Sequence, residues 1–232
     1  MIQLVYSPTW FYGKDIIIDI VSVLVLFLIG TVSIKFYKMN KKKKEYFWLG
    51  TSFIIIAVSF IFKVLTNFTI YYPVTFSRKV GLLTLTYHGF EANDVLFDFG
   101  FLIYRILTLV GLFILFEVYQ KNRSKRYIFL ALYLIITSTY FSRATYFVFH
   151  LTALILLLII TIQYGRQYNE NKHKTTFMLA LGFGVISLSQ LIFVFNAMHK
   201  LMYVAAEVVQ LIGYLILFFT LILVLGYGKK KK

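Results

Sequence analysis

Residues 26–68, LFLIGTVSIKFYKMNKKKKEYFWLGTSFIIIAVSFIFKVLTNF, can be laid without a gap on residues 156–198, LLLIITIQYGRQYNENKHKTTFMLALGFGVISLSQLIFVFNAM. The shared positions include Leu26/Leu156, Thr31/Thr161, Lys42/Lys172, Lys44/Lys174, Phe47/Phe177, Phe53/Phe183, Ile56/Ile186, Ser59/Ser189 and Val64/Val194. A second, shorter match pairs Leu109/Leu211, Gly111/Gly213, Ile114/Ile216, Leu115/Leu217 and Phe116/Phe218. The two matches together read as a duplicated unit. Both halves are apolar runs broken by a short basic turn, which is how a pair of membrane helices looks in sequence.

Composition agrees. The chain has 232 residues, of which 60% are hydrophobic and 14% charged, and its mean hydropathy is +0.80. A soluble domain of this size has too little interior to hide so much apolar surface. There is no cysteine, which excludes disulfides, a thiol nucleophile and thiolate metal sites. Pro8 and Pro73 both fall outside the apolar runs, so the helices are expected to lack proline kinks. The N-terminal stretch does not read as a cleavable signal, because Lys14, Asp15 and Asp19 crowd the start of its apolar run. A net charge of +15 would point to nucleic acid in a soluble protein. Here the basic residues lie in short loops between spans, so membrane orientation explains them and no nucleic-acid partner is expected.

The predicted fold is an all-α membrane protein of seven transmembrane helices, at about 15–37, 47–70, 95–118, 127–141, 144–164, 176–196 and 203–226. Most are long enough to cross a hydrocarbon core of roughly 30 Å. The fourth is short, with Ser142 and Arg143 alone separating it from the fifth. Basic loops flank that pair on both sides, so an even number of crossings lies between them. Lys35, Lys38, Lys41 to Lys44, Lys121, Arg123, Lys125, Arg126, Arg166, Lys172, Lys174 and Lys229 to Lys232 are placed on the cytoplasmic side. They outnumber Lys14, Arg78, Lys79, Arg143 and Lys200 on the other. The N-terminus is then outside and the C-terminus cytoplasmic.

The repeat becomes residues 15–118 and 144–226, two triplets bridged by the linker helix 127–141. An odd linker span restores the direction of the second copy, giving parallel repeats about an axis along the membrane normal. This 3+1+3 plan resembles the SWEET-like sugar transporters. It also resembles the seven-helix rhodopsins and the seven-helix sensor modules of some histidine kinases. The resemblance is one of architecture. The Pro-Gln signature of the SWEET relatives is absent, and residues Tyr203 to Gly226 contain no lysine for a retinal Schiff base.

Ionisable groups inside a membrane are costly and need partners or a cavity. Asp15, Asp19 and Ser22 share one face of helix 1, and Ser52, Ser59, Lys63 and Thr66 one face of helix 2. Asp94, Asp98, Arg105 and Thr108 do the same on helix 3, and Tyr203, Glu207, Gln210 and Tyr214 on helix 7. These stripes are expected to face the interior. The second match sets Arg105 opposite Glu207 at equal depth, so an Arg105–Glu207 ion pair is expected, with Lys63 pairing to Asp19 or Asp98. His150 is expected as a hydrogen-bonded interior histidine, and no metal or cofactor site is expected.

The outer halves collect Asp19, Lys63, Asp98, Arg105, His150, Gln190, Glu207 and Gln210, whereas the inner halves are aliphatic. This predicts a polar pocket open outward, covered by the 71–94 loop, whose alternating residues suggest a hairpin. The function expected is that of a receptor-like or sensory protein of the cell membrane, binding a small polar ligand and signalling to a separate cytoplasmic transducer. A SWEET-like facilitative transporter and a structural subunit of a membrane complex are the alternatives. No catalytic motif occurs, so an enzyme is not expected.

Overall fold

The computed structural model describes residues 7–11, 13–71, 74–80, 83–89, 94–118, 125–142 and 145–229. Seven helices follow one another: α1 Lys14–Met39, α2 Lys44–Tyr71, α3 Asp94–Glu117, α4 Lys125–Phe141, α5 Phe147–Asn171, α6 Lys174–Val194 and α7 Lys200–Lys229. Between α2 and α3 run β1 Val74–Val80 and β2 Leu83–Gly89. The strands pair antiparallel, from Val74 opposite Gly89 to Val80 opposite Leu83. The alternation in the sequence therefore does mark a hairpin.

Six of the helices are long and apolar enough to cross a membrane, and α4 carries a shorter apolar stretch, Ala131–Phe141. The expected break between the fourth and fifth helices is present, with Phe141 and Phe147 as its borders. α5 extends past its apolar run to Asn171. The added stretch, Gly165–Asn171, is mostly straight-chain and aromatic and tolerates helix while keeping its polar groups outside the bundle. It ends at Lys172 in the left-handed region, φ 52°, where the chain turns into α6.

Each triplet is an antiparallel run of neighbours: α1 packs on α2 and α2 on α3, α5 on α6 and α6 on α7. The triplets meet where α1 touches α7 and α3 touches α5, and α4 lies against α3 and α5. Large apolar side chains such as Ile17, Leu24, Leu65, Ile155 and Phe219 point outward, the arrangement that lipid rather than water rewards. Close approach within each triplet depends on missing side chains. A Cβ on Gly111 of α3 would lie 2.5 Å from Ile56 Cγ1 and 3.1 Å from the Ser52 carbonyl oxygen on α2. A Cβ on Gly213 of α7 would lie 2.5 Å from Ile186 Cγ1 and 3.2 Å from the Gly182 carbonyl oxygen on α6. Small residues let backbones approach in this way where no hydrophobic effect drives helices together.

Aromatic rings fill the joint between the triplets. Phe53 and Phe183, partners in the sequence match, stack with centroids 6.2 Å apart. Phe60 meets Tyr104 and Tyr214 edge-on, each at 5.7 Å. Leu26, Leu109, Leu115, Leu157, Ile160 and Leu217 complete a buried aliphatic layer.

Candidate functional site: a buried ion triad between α1, α2 and α7

Helical spacing aims the polar stripes inward, as their sequence positions require. Asp15, Asp19 and Ser22 on α1, Ser52, Ser59, Lys63 and Thr66 on α2, and Tyr203, Glu207, Gln210 and Tyr214 on α7 are all buried. The centre of this region is Lys63. Its ammonium donates to Asp19 Oδ1 at 2.8 Å and to Glu207 Oε1 at 2.8 Å. Asp19 and Glu207 are 0% exposed and Lys63 is 5% exposed. The same ammonium lies 5.5 Å from the ring centre of Phe60 and 5.9 Å from that of Tyr104. Two carboxylates and two aromatic faces thus surround one cation, a cage that suits ammonium chemistry. The second oxygens, Asp19 Oδ2 and Glu207 Oε2, meet no donor.

The Lys63–Asp19 contact is one of the two partners expected from the sequence. The Arg105–Glu207 pair is not formed. Glu207 is held by Lys63, and Arg105 Nη1 donates to the carbonyl oxygen and to Oγ of Ser142, each at 3.0 Å. The guanidinium also lies 5.9 Å from the Phe101 ring centre and 5.7 Å from that of Tyr146. Equal depth is the property that a repeat match gives, and it does not make two residues face each other. α3 packs on α2, α4 and α5, whereas α7 packs on α6 and α1. Glu207 therefore turns toward α1 and α2, and Arg105 toward the end of α4. The side chain of Asp98 lies outside the described residues, as do those of the 71–94 segment.

A neutral network adjoins the triad on the α5–α6 side. His150 Nδ1 donates to Gln190 Oε1 at 2.8 Å, and Gln190 Nε2 donates to Gln210 Oε1 at 3.3 Å. The imidazole stacks on Phe193 at 4.6 Å. His150 is thus a hydrogen-bonded interior histidine, as expected. On the other flank the Tyr203 hydroxyl donates to Asp15 Oδ2 at 3.3 Å, and Asp15 Oδ1 accepts from the Ile16 amide at 2.9 Å. Ser59 and Thr108 share a hydrogen bond of 2.8 Å between α2 and α3. The Glu207–Lys63, Tyr203–Asp15 and Arg105–Ser142 contacts were not anticipated. The stripe register shows that each residue faces inward but carries no information about which helix stands opposite.

Next to these groups lies a cavity of about 30 Å³ lined by Phe53, Phe60, Tyr104, Phe149, Gln190 and Tyr214, among others. That volume accommodates a water molecule, not a sugar. Among the described residues, no three His, Asp or Glu side chains converge as metal ligands. No known protein family, curated protein or solved structure matches the chain.

Proposed function

We propose that the protein is a receptor-like or sensory seven-helix membrane protein built of two parallel triplets, with α4 as the bridging span. The Lys-rich ends of α1 and α7 and the basic loops after α3 and α5 face the cytoplasm in this reading, as the positive-inside bias requires. Three contacts support the repeat. Phe53 and Phe183 touch each other, which equivalent residues do only close to a shared axis. Gly111 seats on Ile56 as Gly213 seats on Ile186. The α1–α7 junction has α5–α3 as its counterpart.

The observation that carries the sensory reading is the ion triad. It ties α7 of one triplet to α1 and α2 of the other through a single ammonium. A small polar or ammonium-bearing ligand that engages Lys63, Asp19 or Glu207 changes what holds the triplets together. It shifts their arrangement by its differential affinity for the two arrangements. The buried aliphatic layer of Leu26, Leu115, Leu157 and Leu217 favours a sensor over a carrier, which needs polar groups along the whole path. A cytoplasmic transducer would read the motion at the basic loops.

The test uses protein in lipid nanodiscs and in sealed vesicles, challenged with small amines, amino acids and neutral sugars. The expected result is a compound that raises the melting temperature of the wild type but not of Glu207→Gln, without crossing the vesicle wall. Leu115→Cys and Leu217→Cys, in a chain with no native cysteine, should resist water-soluble thiol reagents throughout. Solute flux that Lys63→Met abolishes, or labelling of both cysteines during flux, would make the protein a transporter.

A further inference from the structure

We propose that the Asp19–Lys63–Glu207 triad binds one further monovalent cation, a proton or a small alkali ion, that completes its charge. Two carboxylates converge on one ammonium, so the three ionised groups sum to a single negative charge. None of them is more than 5% exposed. Holding an uncompensated charge out of water is strongly unfavourable even after relaxation. Asp15, the next acid on α1, is engaged by Tyr203 and the Ile16 amide.

A second observation is independent of that charge count. Lys63 takes one oxygen of each carboxylate, and the other two, Asp19 Oδ2 and Glu207 Oε2, are buried without a donor. Carboxylate oxygens in such a position accept a proton or ligate a hard cation. A divalent ion would turn the net charge positive, and the described residues offer no set of three acidic or imidazole ligands for one. A monovalent cation meets both the charge deficit and the two bare oxygens.

Among the described residues, the surrounding groups supply no substitute. Around the triad stand Asp15 on α1, Tyr104 and Arg105 on α3, Tyr146 and His150 at the start of α5, and Tyr203 and Tyr214 on α7. Arg105, a further positive charge, donates to the carbonyl oxygen and hydroxyl of Ser142. The bound cation is therefore a joint between α1–α2 and α7, and its release leaves an uncompensated charge at the meeting of the two triplets. This inference rests on the triad and not on the sensory role. A cation-insensitive protein that still responds to an organic ligand would refute it and leave that role standing.

The experiment measures reversible unfolding of the full chain in nanodiscs, in choline chloride and in sodium chloride, from about pH 6 to about pH 9. If the cation is a proton, stability in choline falls with rising pH. The slope approaches tenfold in the folding equilibrium per pH unit, the linkage of one proton. Infrared spectra then show the carbonyl stretch of a protonated carboxyl group, lost in Asp19→Asn or Glu207→Gln. If it is an alkali ion, sodium restores stability at high pH by up to tenfold per tenfold concentration. Each neutralising variant flattens whichever dependence is found, because its triad is already balanced. A wild type indifferent to both pH and sodium, with no carboxyl band, overturns the proposal. So does a dependence that persists unchanged in both variants.

Discussion

Replacing Lys63 by Met keeps the length and apolar stem of the side chain but removes the one donor that Asp19 and Glu207 share. In the wild type its ammonium is 2.8 Å from an oxygen of each. After substitution two carboxylates with 0% exposure face each other with no ammonium between them. Breaking a buried ion pair costs about 3–5 kcal/mol. Two acids are orphaned here by one change, so the upper end of that range, about 5 kcal/mol, is expected. The triple variant Lys63→Met, Asp19→Asn, Glu207→Gln removes the charges along with their partner. It should forfeit only buried hydrogen bonds, about 1–3 kcal/mol. The prediction is therefore an order: wild type, then triple, then single, with the last two separated by at least about 2 kcal/mol. Denaturant titration in mixed micelles, followed by tryptophan fluorescence, measures it. A single variant within about 1 kcal/mol of wild type, or a triple no more stable than the single, would refute the reasoning.

Two further outcomes follow from the geometry. Exchanging charges in Arg105→Glu with Glu207→Arg should bring no recovery over the worse single variant in the same titration. Each residue is bonded to a different partner, Ser142 for Arg105 and Lys63 for Glu207. Recovery in the double variant would restore the direct pair. Gly111→Ala should destabilise by about 1–3 kcal/mol through overpacking, since its Cβ would meet Ile56 Cγ1 at 2.5 Å. Ile56→Ala should recover part of that loss in a double-variant cycle. The same experiment at Gly213 and Ile186 should give a matching pattern, and unequal couplings would count against equivalent triplets.

The stripes show how far a sequence reaches and where it stops. That Asp19, Lys63, Glu207, Gln210 and Tyr214 point inward was legible from spacing alone, because a charge facing lipid is too costly to keep. That Gln190 lies on α6 within reach of His150 was not. Nothing in either run states the rotation of one helix against another. The hairpin was visible as alternation, and its strands frame positions 81–82.

The order of the seven helices, the break before α5 and the inward-facing stripes of α1, α2 and α7 were legible in the chain alone. All of these are local properties: a span is a length of apolar chain, and a face is a phase angle of about 100° per residue. The tertiary structure alone decided who meets whom. Two residues at the same depth on matching helices share a height in the bilayer, but contact also requires neighbouring helices turned toward each other. Packing placed α7 beside α1 instead of α3, and so gave Glu207 to Lys63 and left Arg105 with Ser142.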